Sequence, residues 1–151
     1  PGQQMIIREF KVEHLDNFDI QDGQAEMRAY LEMPDYGDVL LSVGGGYSLF
    51  DGETLLACGG LAKQSNHKAL AWSLISKNFK AKHMVFFTRK VKAYLNKSTY
   101  TRIEAIIRKG FTQAYRLAEL LDFKCETPDA MSNWFPCGES AYLFSRVKCQ
   151  V

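Results

Sequence analysis

The sequence contains few of the patterns that identify metal-binding, disulfide-rich or membrane proteins. Its cysteines are only four, at positions 58, 125, 137 and 149, and they form no CxxC pair. This spacing predicts neither a zinc site nor a disulfide framework, so we expect reduced thiols that are mostly buried. The three histidines are scattered at positions 14, 67 and 83 without a cysteine or carboxylate at ligand spacing, and no metal site is predicted. No apolar run approaches the roughly 20 residues of a membrane span.

The sequence also shows no pattern of a secretory signal or of a domain linker. We expect no secretory leader, and Pro1–Gln4, which precede Met5, are interpreted as a remnant of an expression vector (residues 1–4). Residues 5–151 contain no repeat and no linker of low complexity. A chain of this length buries roughly two thirds of its unfolded surface as one unit. We therefore expect a single domain over 5–151, located in the cytoplasm.

Charge is distributed unevenly along the chain, although the net charge is only +2. Residues 1–60 hold eleven acidic side chains against three basic ones. Residues 77–109 hold ten basic side chains, and Glu104 is the one acid among them. Two interpretations stay open for the basic stretch: a solvated helix face, or a surface for an anionic ligand such as a nucleotide, a phosphate-bearing cofactor or nucleic acid.

Hydrophobic periodicity predicts alternating strands and helices. The strongest local signal is Asp51-Gly52, a turn that suits a hairpin between two strands. Apolar residues recur at helical spacing from Ala81 to Leu95. The predicted strands cover 5–10, 47–50, 54–61, 69–75, 103–107, 123–126 and 141–147, and the predicted helices cover 11–18, 24–32, 81–95 and 114–121.

The predicted order is β-α-α-β-β-β-α-β-α-β-β, an α/β fold with a mixed sheet. Strands 69–75 and 103–107 are separated by a helix and cannot close as a hairpin, so we expect them to be parallel. Ligands of such sheets bind at strand C-termini and helix N-termini, where backbone N–H groups attract anions. The lysines Lys77, Lys80 and Lys82 lie at this place.

The element order and one helical motif resemble the GNAT superfamily of N-acetyltransferases, over essentially the whole chain. Residues 114–123, AYRLAELLDF, are similar to the superfamily motif A-x-x-L-Y-x-x-x-G-F. Ala114, Leu117 and Phe123 match this motif, whereas Ala118 and Asp122 stand in place of its tyrosine and glycine.

A narrower resemblance links the chain to small GNAT-like proteins of tailed bacteriophages. It rests on residues 72–77, WSLISK, and on the Arg-Leu pair at 116–117. It implies a phage-encoded protein located in the host cytoplasm.

The superfamily resemblance implies acetyl-CoA as a co-substrate, bound where strands 69–75 and 103–107 splay apart, and an amine or protein acceptor. The superfamily's phosphate loop, Gln/Arg-x-x-Gly-x-Gly/Ala, falls on Ser76, Phe79 and Ala81, and only Ala81 matches. The alternative is that Ser76 only caps the helix and that the lysines are solvated. The predicted cofactor-binding residues are Leu74, Ile75, Ser76, Lys77, Lys80, Ala81 and Lys82.

The resemblance also places a tyrosine, at the position of Ala118, as the acid that reprotonates the leaving thiolate. Tyr115 lies three residues earlier on nearly the same helix face, and it is the candidate catalytic acid. The alternative is that Tyr115 packs in the core with its hydroxyl at the rim. Glu104 alternates with apolar neighbours and faces either solvent or the cleft, so no general base is assigned.

Three functions remain open at this point. The first is an acyl-CoA-dependent N-acyltransferase. The second is a catalytically inactive protein of this shape that binds a host or virion protein through Trp134, Phe135 and the acidic N-terminal third. The third is a nucleic-acid-binding module that uses the basic helix face; no recognised binding motif accompanies this charge, and nucleic acid ranks last.

Overall fold

The computed structural model describes residues 4–148 and contains seven strands and four α-helices. The strands are β1 Met5–Glu9, β2 Tyr47–Asp51, β3 Thr54–Lys63, β4 Lys68–Ile75, β5 Arg102–Arg108, β6 Lys124–Cys125 and β7 Ala141–Val147. The helices are α1 Arg28–Leu31, α2 Tyr36–Ser42, α3 Met84–Lys97 and α4 Thr112–Leu120, with 3-10 turns at Val12–Leu15, Asp22–Met27 and Ala81–His83. The strands form a mixed sheet in the order β1-β2-β3-β4-β5-β7-β6, which confirms the predicted α/β class.

The segment between β1 and β2 differs most from the sequence prediction. The helices predicted over 11–18 and 24–32 are short 3-10 turns and the four-residue α1. Asn17 has a φ of 54°, which ends the first turn, and Gln24 interrupts the second with non-helical angles. The helix α2 was not predicted, because it has only seven residues and contains Gly37, a poor helix former.

Among the described residues, 4–62 and Ala71–His83 form one compact unit. Its core contains Phe10, Leu40 and Cys58, and the Trp72 ring meets the Phe10 ring edge-on with centroids 5.3 Å apart. Gly44 and Gly45 follow α2 with φ values of 141° and 68°. Gly46 needs to be glycine, since a Cβ there would lie 2.1 Å from the Gly59 carbonyl oxygen.

Residues 63–70 and 84–148 form the second unit. Within it, Lys68, Ala69 and Leu70 of β4 pair in parallel with β5, as the β-α-β order predicted. The rest of β4, up to Ile75, extends beyond this ladder. β5 pairs antiparallel with β7 along its whole length. The single domain expected over 5–151 stays a prediction.

The cysteines correct one expectation. Cys58 is buried, but Cys125 and Cys137 are exposed, because the first lies on the two-residue β6 and the second in the loop before β7. All three are free thiols, and Cys149 lies outside the described residues. Within 4–148, no helix has the length and apolar character that a membrane crossing requires.

Candidate functional site

The C-terminal half of β4 presents one backbone edge to β3 and one away from it. The Ser76 N–H donates to the Leu56 carbonyl of β3 over 2.9 Å. Because successive residues of an extended chain direct their polar groups to opposite edges, Ser73, Ile75 and Lys77 direct theirs away from β3. This outer edge of β4 is the place at which an extended ligand could pair with the strand.

Residues 19–21 occupy part of the outer edge. The Lys77 N–H donates to the Asp19 carbonyl at 2.9 Å, and the Gln21 N–H donates to the Ile75 carbonyl at 2.8 Å. Together these bonds form an antiparallel bridge between Ile20 and Ser76. Ile20 is buried, so its side chain anchors the bridge.

The Gln24 side chain occupies the next stretch of the same edge. Its Nε2 donates to the Ser73 carbonyl, and its Oε1 accepts from the Ile75 N–H, each over 2.9 Å. A primary amide therefore stands where the peptide group of a neighbouring strand would stand. The Gln21 Nε2 also donates to Gln24 Oε1 at 3.2 Å. We call residues 19–24 the strap.

Five consecutive N–H groups after β4 already have acceptors within the chain. Besides Ser76 and Lys77, the Asn78 N–H donates to Ser76 Oγ at 3.1 Å, the Phe79 N–H to the Ser76 carbonyl at 3.0 Å and the Lys80 N–H to His83 Nδ1 at 2.9 Å. Ser76 is buried and caps the turn with its hydroxyl. In this conformation residues 76–80 do not present a row of open N–H groups to a phosphate.

The three predicted lysines lie on this loop and are exposed. Lys77 Nζ lies 3.6 Å from Asp22 Oδ1 and 3.8 Å from Asp19 Oδ1. Lys80 Nζ donates to the Lys77 carbonyl at 2.9 Å. The strap therefore supplies two carboxylates to Lys77.

The remaining predicted residues of this group differ in exposure. Leu74 is 1% exposed and belongs to the core, whereas Ala81 and Lys82 are exposed in the 3-10 turn before α3. Leu74 can therefore support the strand but offers no surface to a ligand in this conformation.

A buried histidine that the sequence interpretation missed holds this loop. His83 is 2% exposed and accepts the Lys80 N–H at Nδ1, so its proton is on Nε2 and is donated to Asp51 Oδ2 at 3.0 Å. This bond holds the pKa of Asp51 below its ordinary value. No local pattern could reveal the pair, since its members are 32 residues apart.

Tyr115, the candidate acid, lies in the second unit, in the first turn of α4, and its side chain reaches the turn between β5 and α4. Its hydroxyl donates to the Arg108 carbonyl at 3.2 Å and accepts the Gly110 N–H at 2.7 Å. Its ring stacks on Phe144 with centroids 5.7 Å apart. The phenol thus has a structural role in this turn, and proton transfer from it requires that the bond to Arg108 break.

The departures from the superfamily motif have clear structural positions. Asp122, in place of glycine, has a φ of 69° and follows α4. Its N–H donates to the Glu119 carbonyl and the Phe123 N–H to the Ala118 carbonyl, the hydrogen bonds of a Schellman helix end. Ala118 is 6% exposed, so a tyrosine at this position would not fit without rearrangement.

Two further sets of polar side chains do not supply an evident general base or nucleophile. Glu104 accepts from Arg102 Nε at 2.8 Å and lies 3.6 Å from Lys68 Nζ, so it is part of an ion-pair network. In the first unit, Cys58 Sγ, Ser48 Oγ and His14 Nδ1 form a hydrogen-bonded chain of 3.3 and 2.7 Å. Burial raises the pKa of Cys58 to about 11, which makes it a poor nucleophile.

Comparison with known proteins identifies the fold. No protein-family model and no curated protein matches the sequence. Among solved structures, the chain is similar to a GNAT-family acetyltransferase from Bacillus anthracis, with a TM-score of 0.66 and 13% identity over 97% of this chain and 96% of that one. It is also similar to a ribosomal-protein alanine N-acetyltransferase from Escherichia coli, with a TM-score of 0.69 and 16% identity over 98% and 96%.

A third similar structure was determined with a coenzyme bound. It is spermidine N-acetyltransferase from Vibrio cholerae in complex with CoA and spermine, with a TM-score of 0.69 and 13% identity over 95% of both chains. At such identities the likeness establishes the fold and leaves the chemistry to be argued from the residues.

Proposed function

Because the chain has the fold of GNAT acetyltransferases, we propose that it is an acyl-CoA-dependent N-acyltransferase that transfers an acetyl group from acetyl-CoA to an amine of a small molecule or protein. The observation that carries this proposal is the fold match, which extends over at least 95% of the chain and includes a structure with CoA. The expected location is the cytoplasm.

The proposed reaction is direct attack of the amine nitrogen on the thioester carbonyl. A C–N bond forms, the C–S bond breaks, the amine nitrogen loses a proton to water, and the thiolate takes up a proton as CoA leaves. Positioning and polarisation of the carbonyl supply most of the rate acceleration. Tyr115 is the proposed proton donor.

The outer edge of β4 and the loop after it are the proposed contacts of acetyl-CoA. Ser73 and Ile75 carry backbone groups that can pair with the amides of an extended chain. Lys77, Lys80 and Lys82 carry the positive charge that suits its phosphates. The backbone N–H groups of residues 76–80 can bind phosphate only after the hydrogen bonds to their present acceptors break.

A second candidate function is that of an inactive protein of this fold that binds another protein. Two observations favour it: the Tyr115 hydroxyl is held by the β5–α4 turn, and the strap occupies the β4 edge. Nucleic-acid binding by α3 ranks third, supported by basic charge alone.

Acetyl-CoA binding separates the first function from the others. At a ligand concentration of a hundred times Kd, the free energy of unfolding should rise by about 2.7 kcal/mol. Thermal unfolding with acetyl-CoA, and with a nucleoside triphosphate as an anion control, tests this. An equal rise with both anions, or no rise with either, contradicts specific recognition of acetyl-CoA.

A further inference from the structure

We propose that the strap is an autoinhibitory segment, which must leave the outer edge of β4 before acyl-CoA binds there. This inference rests on the proposed function and concerns how its site is regulated. The strap competes with an extended, amide-bearing ligand because it already uses the hydrogen-bonding groups that such a ligand would use.

The first argument is the completeness of the pairing. From Ser73 to Lys77, four backbone groups of the outer edge are bonded to the strap: the Ser73 carbonyl, both polar groups of Ile75 and the Lys77 N–H. Two of these bonds come from the Gln24 amide, which is chemically the same kind of group as an amide of the ligand. A second chain cannot pair with the same groups while they are so bonded.

The second argument is charge. Asp19 and Asp22, which both belong to the strap, lie close to Lys77. Departure of the strap removes both carboxylates from Lys77 and frees its N–H from the Asp19 carbonyl. Both changes make the loop more attractive to phosphate, so the strap regulates the edge and the anion site together.

The third argument is that the Gln24 end of the strap can detach at modest cost, whereas the buried side chain of Ile20 anchors the other end. Only residues 22–24 of the strap belong to a 3-10 turn, which is kinked at Gln24, and the hydrogen bond of Gln24 to Ser73 is exposed. Exposed hydrogen bonds and short helical turns open readily in folded proteins. The apparent association constant for the ligand is then the intrinsic constant multiplied by the fraction of molecules in which the outer edge of β4 is open.

Two variants weaken the strap by different routes. Gln24→Met keeps the length of the side chain but removes both amide bonds. Gln21→Pro removes the N–H that bonds Ile75 and fits the backbone, because Gln21 has a φ of −61°. Gln113→Met, on an exposed position of α4, is the matched control.

The test measures the affinity for CoA by calorimetry and amide hydrogen exchange at Gln21 and Lys77. We expect Gln24→Met and Gln21→Pro to bind CoA about fivefold or more tightly than the wild type, with Gln113→Met unchanged. Saturating CoA should also accelerate exchange of the Gln21 amide in the wild-type protein, because this N–H loses its acceptor, the Ile75 carbonyl.

Two results would overturn autoinhibition by the strap, and only the second would also overturn the proposed function. Equal CoA affinity in the wild type and both strap variants rejects autoinhibition and leaves the proposed function standing. If no protein binds CoA, although exchange at Lys77 shows that the strap is released in the folded variants, both autoinhibition and the proposed function are rejected.

Discussion

The Nε2–H of His83 donates to Asp51 Oδ2 at 3.0 Å, which ties the loop after β4 to the turn between β2 and β3. The other ring nitrogen accepts the Lys80 N–H, so both nitrogens of a nearly inaccessible imidazole are used. The pair fixes the backbone on which Lys77, Lys80 and Lys82 stand. It is a structural support for the candidate anion site.

His83→Phe should destabilise the protein by about 1–3 kcal/mol, because it leaves the Lys80 N–H and the Asp51 carboxylate without their partner. Urea unfolding measures this change. His67→Phe is the control, since the His67 side chain is exposed and its hydrogen bond is to Ser65 of its own turn. A loss equal to that of the control would show that the His83–Asp51 bond contributes nothing to folding.

The same pair predicts a pH dependence. The His83 hydrogen bond, assisted by the Gln4 N–H, lowers the pKa of Asp51 from its ordinary value of 3.8. The stabilisation is therefore complete above pH 3.8 and is lost as the pH falls through the lower folded-state value. We expect Asp51→Asn to flatten the dependence of unfolding free energy on pH below about 4. Parallel wild-type and Asp51→Asn curves would contradict this.

Removal of three positive charges should weaken CoA binding and reduce its dependence on salt. The variant replaces Lys77, Lys80 and Lys82 with alanine. Stability should change little, because exposed lysines contribute little to folding. Calorimetry at two salt concentrations measures the effect.

The matched control for this variant removes the same charge elsewhere. It replaces Lys63, Lys109 and Lys124, which are all exposed, with alanine. An unchanged CoA affinity in the first variant, or an equal loss in both, would reject the assignment of phosphate contacts to the loop after β4.

Tyr115→Phe should lower turnover about 10²-fold while CoA binding stays intact, the scale expected for loss of one proton donor. Tyr142→Phe, whose ring contacts that of Tyr115, is the control. If Tyr115→Phe lowers stability but leaves turnover per folded molecule unchanged, the hydroxyl serves only the Arg108–Gly110 turn and the acid lies elsewhere.

The sequence predicted the strands better than the site, for a physical reason. The order of the strands along the chain follows from local hydrophobic periodicity. The parallel pairing of β4 and β5 follows from the helix that lies between these two strands in residues 69–107. The strap depends on a side-chain amide that reaches β4 from 49 residues away, and Gln24 looks like any polar residue of a short helix. The backbone at Asp122 is indicated by the family motif instead of by local periodicity. The motif usually has glycine at this position, which favours a left-handed backbone, and the aspartate adopts that backbone here.

Acetyl transfer is the most direct test of the proposed activity. Wild-type protein and Gln24→Met should be incubated with isotopically labelled acetyl-CoA and a panel of polyamines, amino acids and peptides with free N-termini. The measurement is the label recovered in N-acetylated product by mass spectrometry. The account predicts labelled product with at least one amine, formed faster by Gln24→Met at limiting acetyl-CoA. Binding of acetyl-CoA without labelled product from any amine, in both proteins, would contradict it.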